Sequence, residues 1–189
     1  HRPVPSVGGP SCCEWSFAPP GQSDQSQIEQ RPDLLVYTSN PLDTPMAVTG
    51  PITVDLFATS TATDTDFTAK LVDVAPDGTA LNLNNGIQVA RFRNSLSTPE
   101  LITPGAVYEY QIKVWPTSNL FLKGHSIRLE ISSSDYPQFA PNPNTGEVFG
   151  QSDRMLVATQ TILHDSKHPS ALVLPVIPVT QGVDHPPAL

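Results

Sequence analysis

Charge is scarce in this sequence. Of its 189 residues 15% are charged, against roughly 25% in an average soluble chain. Acids outnumber bases 18 to 10, giving a net charge of −8. With its few Lys and Arg scattered, the chain has no basic face to neutralise phosphates, which excludes nucleic acid as a partner. Long apolar runs are missing as well. Nothing approaches the ~18 residues of a membrane-spanning helix, and the N-terminal stretch carries no signal-peptide pattern, so no membrane partner is read. Cysteine occurs only as the neighbouring pair Cys12-Cys13. No long-range disulfide can form, a bond between neighbours is strained, and reduced thiols are the favoured state. Without Cys-x-x-Cys spacing no zinc site is indicated, and neither metal nor cofactor is expected.

Proline, by contrast, is plentiful at 21 residues, about double the usual ~5% share. It breaks helix interiors but is tolerated at strand ends, sheet edges and turns. Together with 38% hydrophobic residues, enough for a sizeable core, this points to one all-β domain rich in turns. Residues 1–31 are rich in Pro, Gly, Ser and Gln without periodicity and read as a long irregular arm. Residues 32–178 read as the sandwich and 179–189 as a tail. His1 has no Met before it, so the chain is read as a piece of a longer polypeptide.

Strands are expected at 33–39, 52–58 and 67–74, the last closed by Pro76-Asp77-Gly78, a turn with a mechanism. Asn84-Asn85-Gly86 is the dipeptide pattern of a type I′ hairpin, with 87–92 as the returning strand. The clearest period-2 stretch begins at Val107: Tyr108, Tyr110, Ile112 and Val114 share one face, Glu109, Gln111 and Lys113 the other. In 126–132, Ile127, Leu129 and Ile131 point inward while Arg128 and Glu130 face water. Further strands are expected at 155–163 and 171–174. Eight to ten short antiparallel strands bury their apolar faces by closing into two packed sheets, a jelly-roll-like sandwich.

Catalytic patterns are thin. A nucleophile elbow needs Gly-x-Ser-x-Gly on a strand-to-helix turn; Gly124-His125-Ser126-Ile127-Arg128 lacks the second glycine and enters a strand. Consecutive strand side chains point to opposite faces, so His125 is badly placed to take a proton from Ser126. Asp135, after Ser132-Ser133-Ser134, reads as a turn residue bonding local backbone. His164 and His168 share a four-residue spacing but sit in a loop before Pro169, and read as structural or exposed. Asp64 and Asp66 alternate as calcium ligands do, yet the glycine and glutamate of a calcium loop are absent; capping the strand that begins at Phe67 is favoured.

Several stretches together form a pattern: 31–39 (RPDLLVYTS), 48–52 (VTGPI), 64–74 (DTDFTAKLVDV), 115–119 (WPTSN), 124–129 (GHSIRL), 142–146 (NPNTG) and 168–170 (HPS). The set resembles the C-terminal domain of the X-Pro dipeptidyl-peptidase and cocaine-esterase-like serine hydrolases. That resemblance implies a jelly-roll, galactose-binding-like domain without catalytic residues of its own. Its partner would be the α/β-hydrolase catalytic domain of the same parent chain. Residues 3–9 (PVPSVGG) resemble the junction between the two parts. The resemblance also implies that Ser11, Cys12 and Cys13 border the acyl pocket. Trp15 and Phe17, with no strand pattern to bury them, are candidates for the domain interface. The competing reading is a stand-alone jelly-roll carbohydrate-binding module, which would need clustered aromatic and polar residues on one face.

Overall fold

The computed structural model describes residues 3–9, 20–148 and 150–179. Its spine is β2 (Met46–Ser60), along which Val48, Ile52, Val54, Leu56 and Ala58 are buried while the residues between them are not. This alternation is what one half-buried sheet face requires. The long strand β5 (Tyr108–Phe121) lies antiparallel beside it and turns Tyr110, Ile112 and Val114 to the same interior. Glu109, Gln111 and Lys113 face out, as the period-2 pattern predicts. The β2–β5 ladder shifts register between Gly50 and Ile52. Pro51, which has no N–H to give the ladder, falls at that irregularity.

The opposite edge of β2 is shared by three short strands, β7 (Gln160–Leu163), β8 (Ala171–Val173) and β9 (Val176–Ile177). The facing sheet runs β1 (Leu35–Thr38), β6 (Ser126–Ser132), β3 (Asp66–Val74), β4 (Ala80–Val89), all antiparallel. Phe67, Ala69 and Leu71 of β3 and Ile131 of β6 meet the β2–β5 side chains to form the main core. This is the expected all-β, two-sheet antiparallel sandwich.

Several expectations change. Residues 84–86 do not turn the chain: β4 runs straight through them, and the β3–β4 hairpin closes instead at Pro76-Asp77-Gly78. There Gly78 takes φ 91° and Asp77 Oδ1 accepts the Thr79 N–H at 3.0 Å. Gly86 serves a different purpose. A Cβ on it would collide with the Lys113 carbonyl of β5, so glycine is what lets the two sheets approach here. Residues 90–92 form a short 3-10 helix, and 155–159 are not strand. The C-terminal pairing continues past Pro175 into β9.

The largest revision concerns the arm. Its described residues are tied down on the outer face of the β1-β6-β3-β4 sheet. Asp24 bridges to Leu81, the Gln25 N–H donates to the Ala80 carbonyl at 2.8 Å, and Pro5 bridges to Tyr136. Val4, Ile28 and Leu34 form a second small apolar cluster there. Glu130, expected to face water, is therefore 1% exposed: it points away from the main core but lies under the arm.

Candidate functional site

Ser11, Cys12, Cys13, Trp15 and Phe17 lie outside the described residues, but the two ends of the segment that carries them are fixed. Gly9 and Gly21 form a small antiparallel bridge, each N–H donating to the other's carbonyl, at 2.7 and 2.9 Å. Three glycines make this stem possible. Gly8, Gly9 and Gly21 all have positive φ, and a Cβ on Gly8 would stand 2.5 Å from the Gly21 carbonyl oxygen.

The stem rests on a polar platform. Asn82 and Asn85 from β4 and Gln138 from the loop after β6 surround Gly9. Asn82 Oδ1 accepts the Ser23 N–H at 2.7 Å. Asn85 Nδ2 donates to Asp135 Oδ2 and to Gln138 Oε1, each at 2.6 Å, and Gln138 Nε2 donates back to Asn85 Oδ1 at 3.1 Å. Ser6 Oγ donates to the Asp135 carbonyl at 3.0 Å. Asp135 thus reaches a distant strand rather than its local backbone, because Asn85 is presented directly over it. A connected side-chain network of this kind holds the stem in one geometry.

Beside the platform lies a buried charged group. Lys70 Nζ of β3 donates to Gln25 Oε1 at 2.9 Å and stands 3.5 Å from Glu130 Oε2 of β6. Arg128 Nη1 donates to Glu29 Oε2 at 2.7 Å. Burial, and then the neighbouring Glu29, push the Glu130 carboxyl up, against the pull of Lys70. Lys70 carries no signal in the sequence, and Asn85 carries only that of a turn. A lysine inside a strand reads as a solvent-facing residue until something is known to cover that face.

The remaining candidates are committed elsewhere. Asp64, fully buried, accepts Arg91 Nε at 2.8 Å and the Arg91 N–H at 2.9 Å, and Asn142 Nδ2 bridges it to Asp66 at 2.8 Å on each side. These oxygens hold the loop ends together. His125 Nδ1 pairs with Asp73 Oδ1 at 2.8 Å, and His168 with Asp165. Among the described residues no serine hydroxyl bonds to a histidine ring. Ser132 Oγ donates to the Asp33 carbonyl and Ser134 Oγ accepts the Val4 N–H, so the serine run anchors the arm. Tyr37 Oη meets His164 Nε2 at 3.2 Å at the mouth of an apolar groove of about 410 Å³ between β1 and β7. Val54, Leu56, Leu129 and Leu172 are among its walls. Trp115 is 60% exposed, and among the described residues no second ring joins it to make a sugar platform.

Among the described residues, these features define a β-sandwich module whose buried titratable groups are spent on architecture and whose N-terminal strap is closed by the Gly9–Gly21 stem. The chain belongs to the family of the X-Pro dipeptidyl-peptidase C-terminal non-catalytic domain, which it matches over residues 4–173. It is 45% identical to a cocaine esterase from a Rhodococcus species over 177 residues, 93% of this chain and 30% of that protein. It is 33% identical to a putative serine esterase of Mycobacterium bovis over 76% of this chain and 24% of that one. Among solved structures it superimposes on an α-amino acid ester hydrolase with TM-score 0.84 and 28% identity, covering 93% of this chain and 31% of that one. An aminopeptidase from a marine-sediment thaumarchaeote gives the same TM-score and identity, over 94% and 32%. The chain thus spans under a third of the length of these relatives.

Proposed function

We propose that this domain is the non-catalytic accessory part of a serine hydrolase of the α/β-hydrolase type. It docks on the catalytic part of the same parent chain, and the segment rising from the Gly9–Gly21 stem, with Ser11, Cys12 and Cys13, borders the acyl pocket. Trp15 and Phe17 of that segment lie against the catalytic part. The observation that carries this reading is the stem itself. The two ends of the segment are hydrogen-bonded to each other beside the Asn85, Asp135 and Gln138 side chains, which supports a segment offered to a neighbouring domain. That construction suits a wall of another domain's pocket. The apolar side chains exposed by the loop after β6, Val148, Met155, Leu156 and Val157, offer further contact area for docking.

Treating the purified 189-residue chain with a fluorophosphonate probe tests the first claim. No labelled serine and no hydrolysis of ester or X-Pro substrates is expected. A covalent adduct on a serine of this chain overturns it. For the pocket wall, Ser11→Trp in the parent enzyme should raise KM for the larger acyl esters at least several-fold. Unchanged KM across acyl sizes removes this segment from the pocket.

A further inference from the structure

Nothing in the structure shows what covers the apolar groove between β1 and β7. The charges beneath the arm define their own chemistry. Glu130 is 1% exposed, and the side chain of Glu29, on the arm's short helix (Ile28–Gln30), contacts it. Each carboxyl has one basic neighbour: Arg128 on Glu29 at 2.7 Å and Lys70 near Glu130 at 3.5 Å. The second distance is too long for a strong hydrogen bond, and Lys70 gives its close one to Gln25. Glu29 Oε1 and both Glu130 oxygens are consequently buried without a donor. Asp135, whose Oδ1 also lacks one, lines the same 10 Å³ void as Lys70 and Glu130. Two touching carboxylates in such a place repel each other, and three acceptors without a donor are costly. One proton between them removes the repulsion and gives two of the three oxygens a partner.

We propose that Glu130 holds a proton that it donates in a hydrogen bond to Glu29, and that this contact is a pH-sensitive latch holding the N-terminal arm on the sheet. The facing groups are Lys70 from β3, Arg128 from β6, Gln25 from the arm and Asp135 from the loop after β6. Burial first, and then Glu29, raise Glu130 from 4.5 to about 7, while Lys70 opposes them. A carboxyl raised in the docked state stabilises docking fully below its free value. That stabilisation is lost as pH rises through the docked value. The arm is therefore held most firmly below about pH 4.5, loosens toward pH 7 and changes little above it. The latch stands on this chain alone and is independent of the proposed docking to a catalytic part.

Hydrogen–deuterium exchange of the whole chain from pH 5 to 8, corrected for intrinsic rates, reads it directly. In the unmodified chain, protection of residues 20–34 should fall roughly tenfold per pH unit between pH 5 and 7. In Glu130→Gln the amide supplies a permanent donor, and the profile of the arm should be flat. An infrared difference spectrum at pH 6 should show a protonated-carboxyl band lost on that substitution. If Glu130→Gln does not fold, Glu29→Gln tests the same proton from the arm side. Arm protection that ignores pH in the unmodified chain overturns the proposal, as does an unaltered pH profile in the folded variant.

Discussion

At the scale of single residues, the domain buries more charge than its composition suggests. Asp64, Asp66 and Arg91 are all buried, and one asparagine, Asn142, bridges the two acids. Removing the Arg91 guanidinium is costly, because the buried Asp64 then loses its ion-pair partner. Arg91→Ala should lower stability by about 3–5 kcal/mol in urea unfolding. Asp66 behaves differently. Burial, reinforced by the charge of Asp64, raises its carboxyl to about 7, against the hydrogen bond from Asn142 and the charge of Arg91. A raised acid favours the folded state below its unfolded value of 3.8, and that contribution disappears as pH climbs through about 7. Asp66→Asn keeps an acceptor for Asn142 and has nothing to ionise. It should match the unmodified chain at pH 4 and exceed it by about 1–3 kcal/mol at pH 8. Equal unfolding midpoints for the two chains at pH 8 would contradict this account.

At the scale of elements, two glycines of one hairpin separate backbone freedom from packing space. Gly78 turns the β3–β4 connection with φ 91° and open space around its missing Cβ. Gly78→Ala should cost about 1 kcal/mol through strain alone. Gly86 has ordinary strand geometry, but a Cβ there meets the Lys113 backbone. Gly86→Ala should push β4 from β5 and cost more than Gly78→Ala, by about 1–3 kcal/mol. Thermal melts of the two variants give the order. The same contrast explains what could be read in advance. Alternation in 108–114 and 126–132 marked strands correctly because one face of each meets an apolar core, a condition local sequence reports. Asn84-Asn85-Gly86 carried a true turn composition and was misread, because the reason for its glycine is a strand about 27 residues away. Glu130 is misplaced by its alternation for a related reason: its cover is the arm, whose residues have no period to announce it. The candidate site was legible only through resemblance, since a stem made of Gly9 and Gly21 needs φ angles and partners, not a motif.

At the scale of the whole molecule, the sandwich is a support with two surfaces for contact. One is the strap with its Gly9–Gly21 stem; the other is the apolar loop after β6. Met155 and Val157 are exposed at 65% and 77%, so they contribute little to this domain's own stability. Val157→Lys should leave the unfolding midpoint of the isolated chain within about 0.5 kcal/mol of unmodified. In the parent enzyme it should accelerate thermal inactivation, if this loop carries part of the docking contact. An unaltered inactivation rate would locate the contact on another face.

The division of one side of β2 among partners of four, three and two residues has a further result. A strand that borders water along its full length is a template for a foreign chain. Here the template is cut into pieces by the loops between them, none long enough to seat a stable intruder. A module that must meet its neighbour through side chains is thereby kept from recruiting strangers through its backbone.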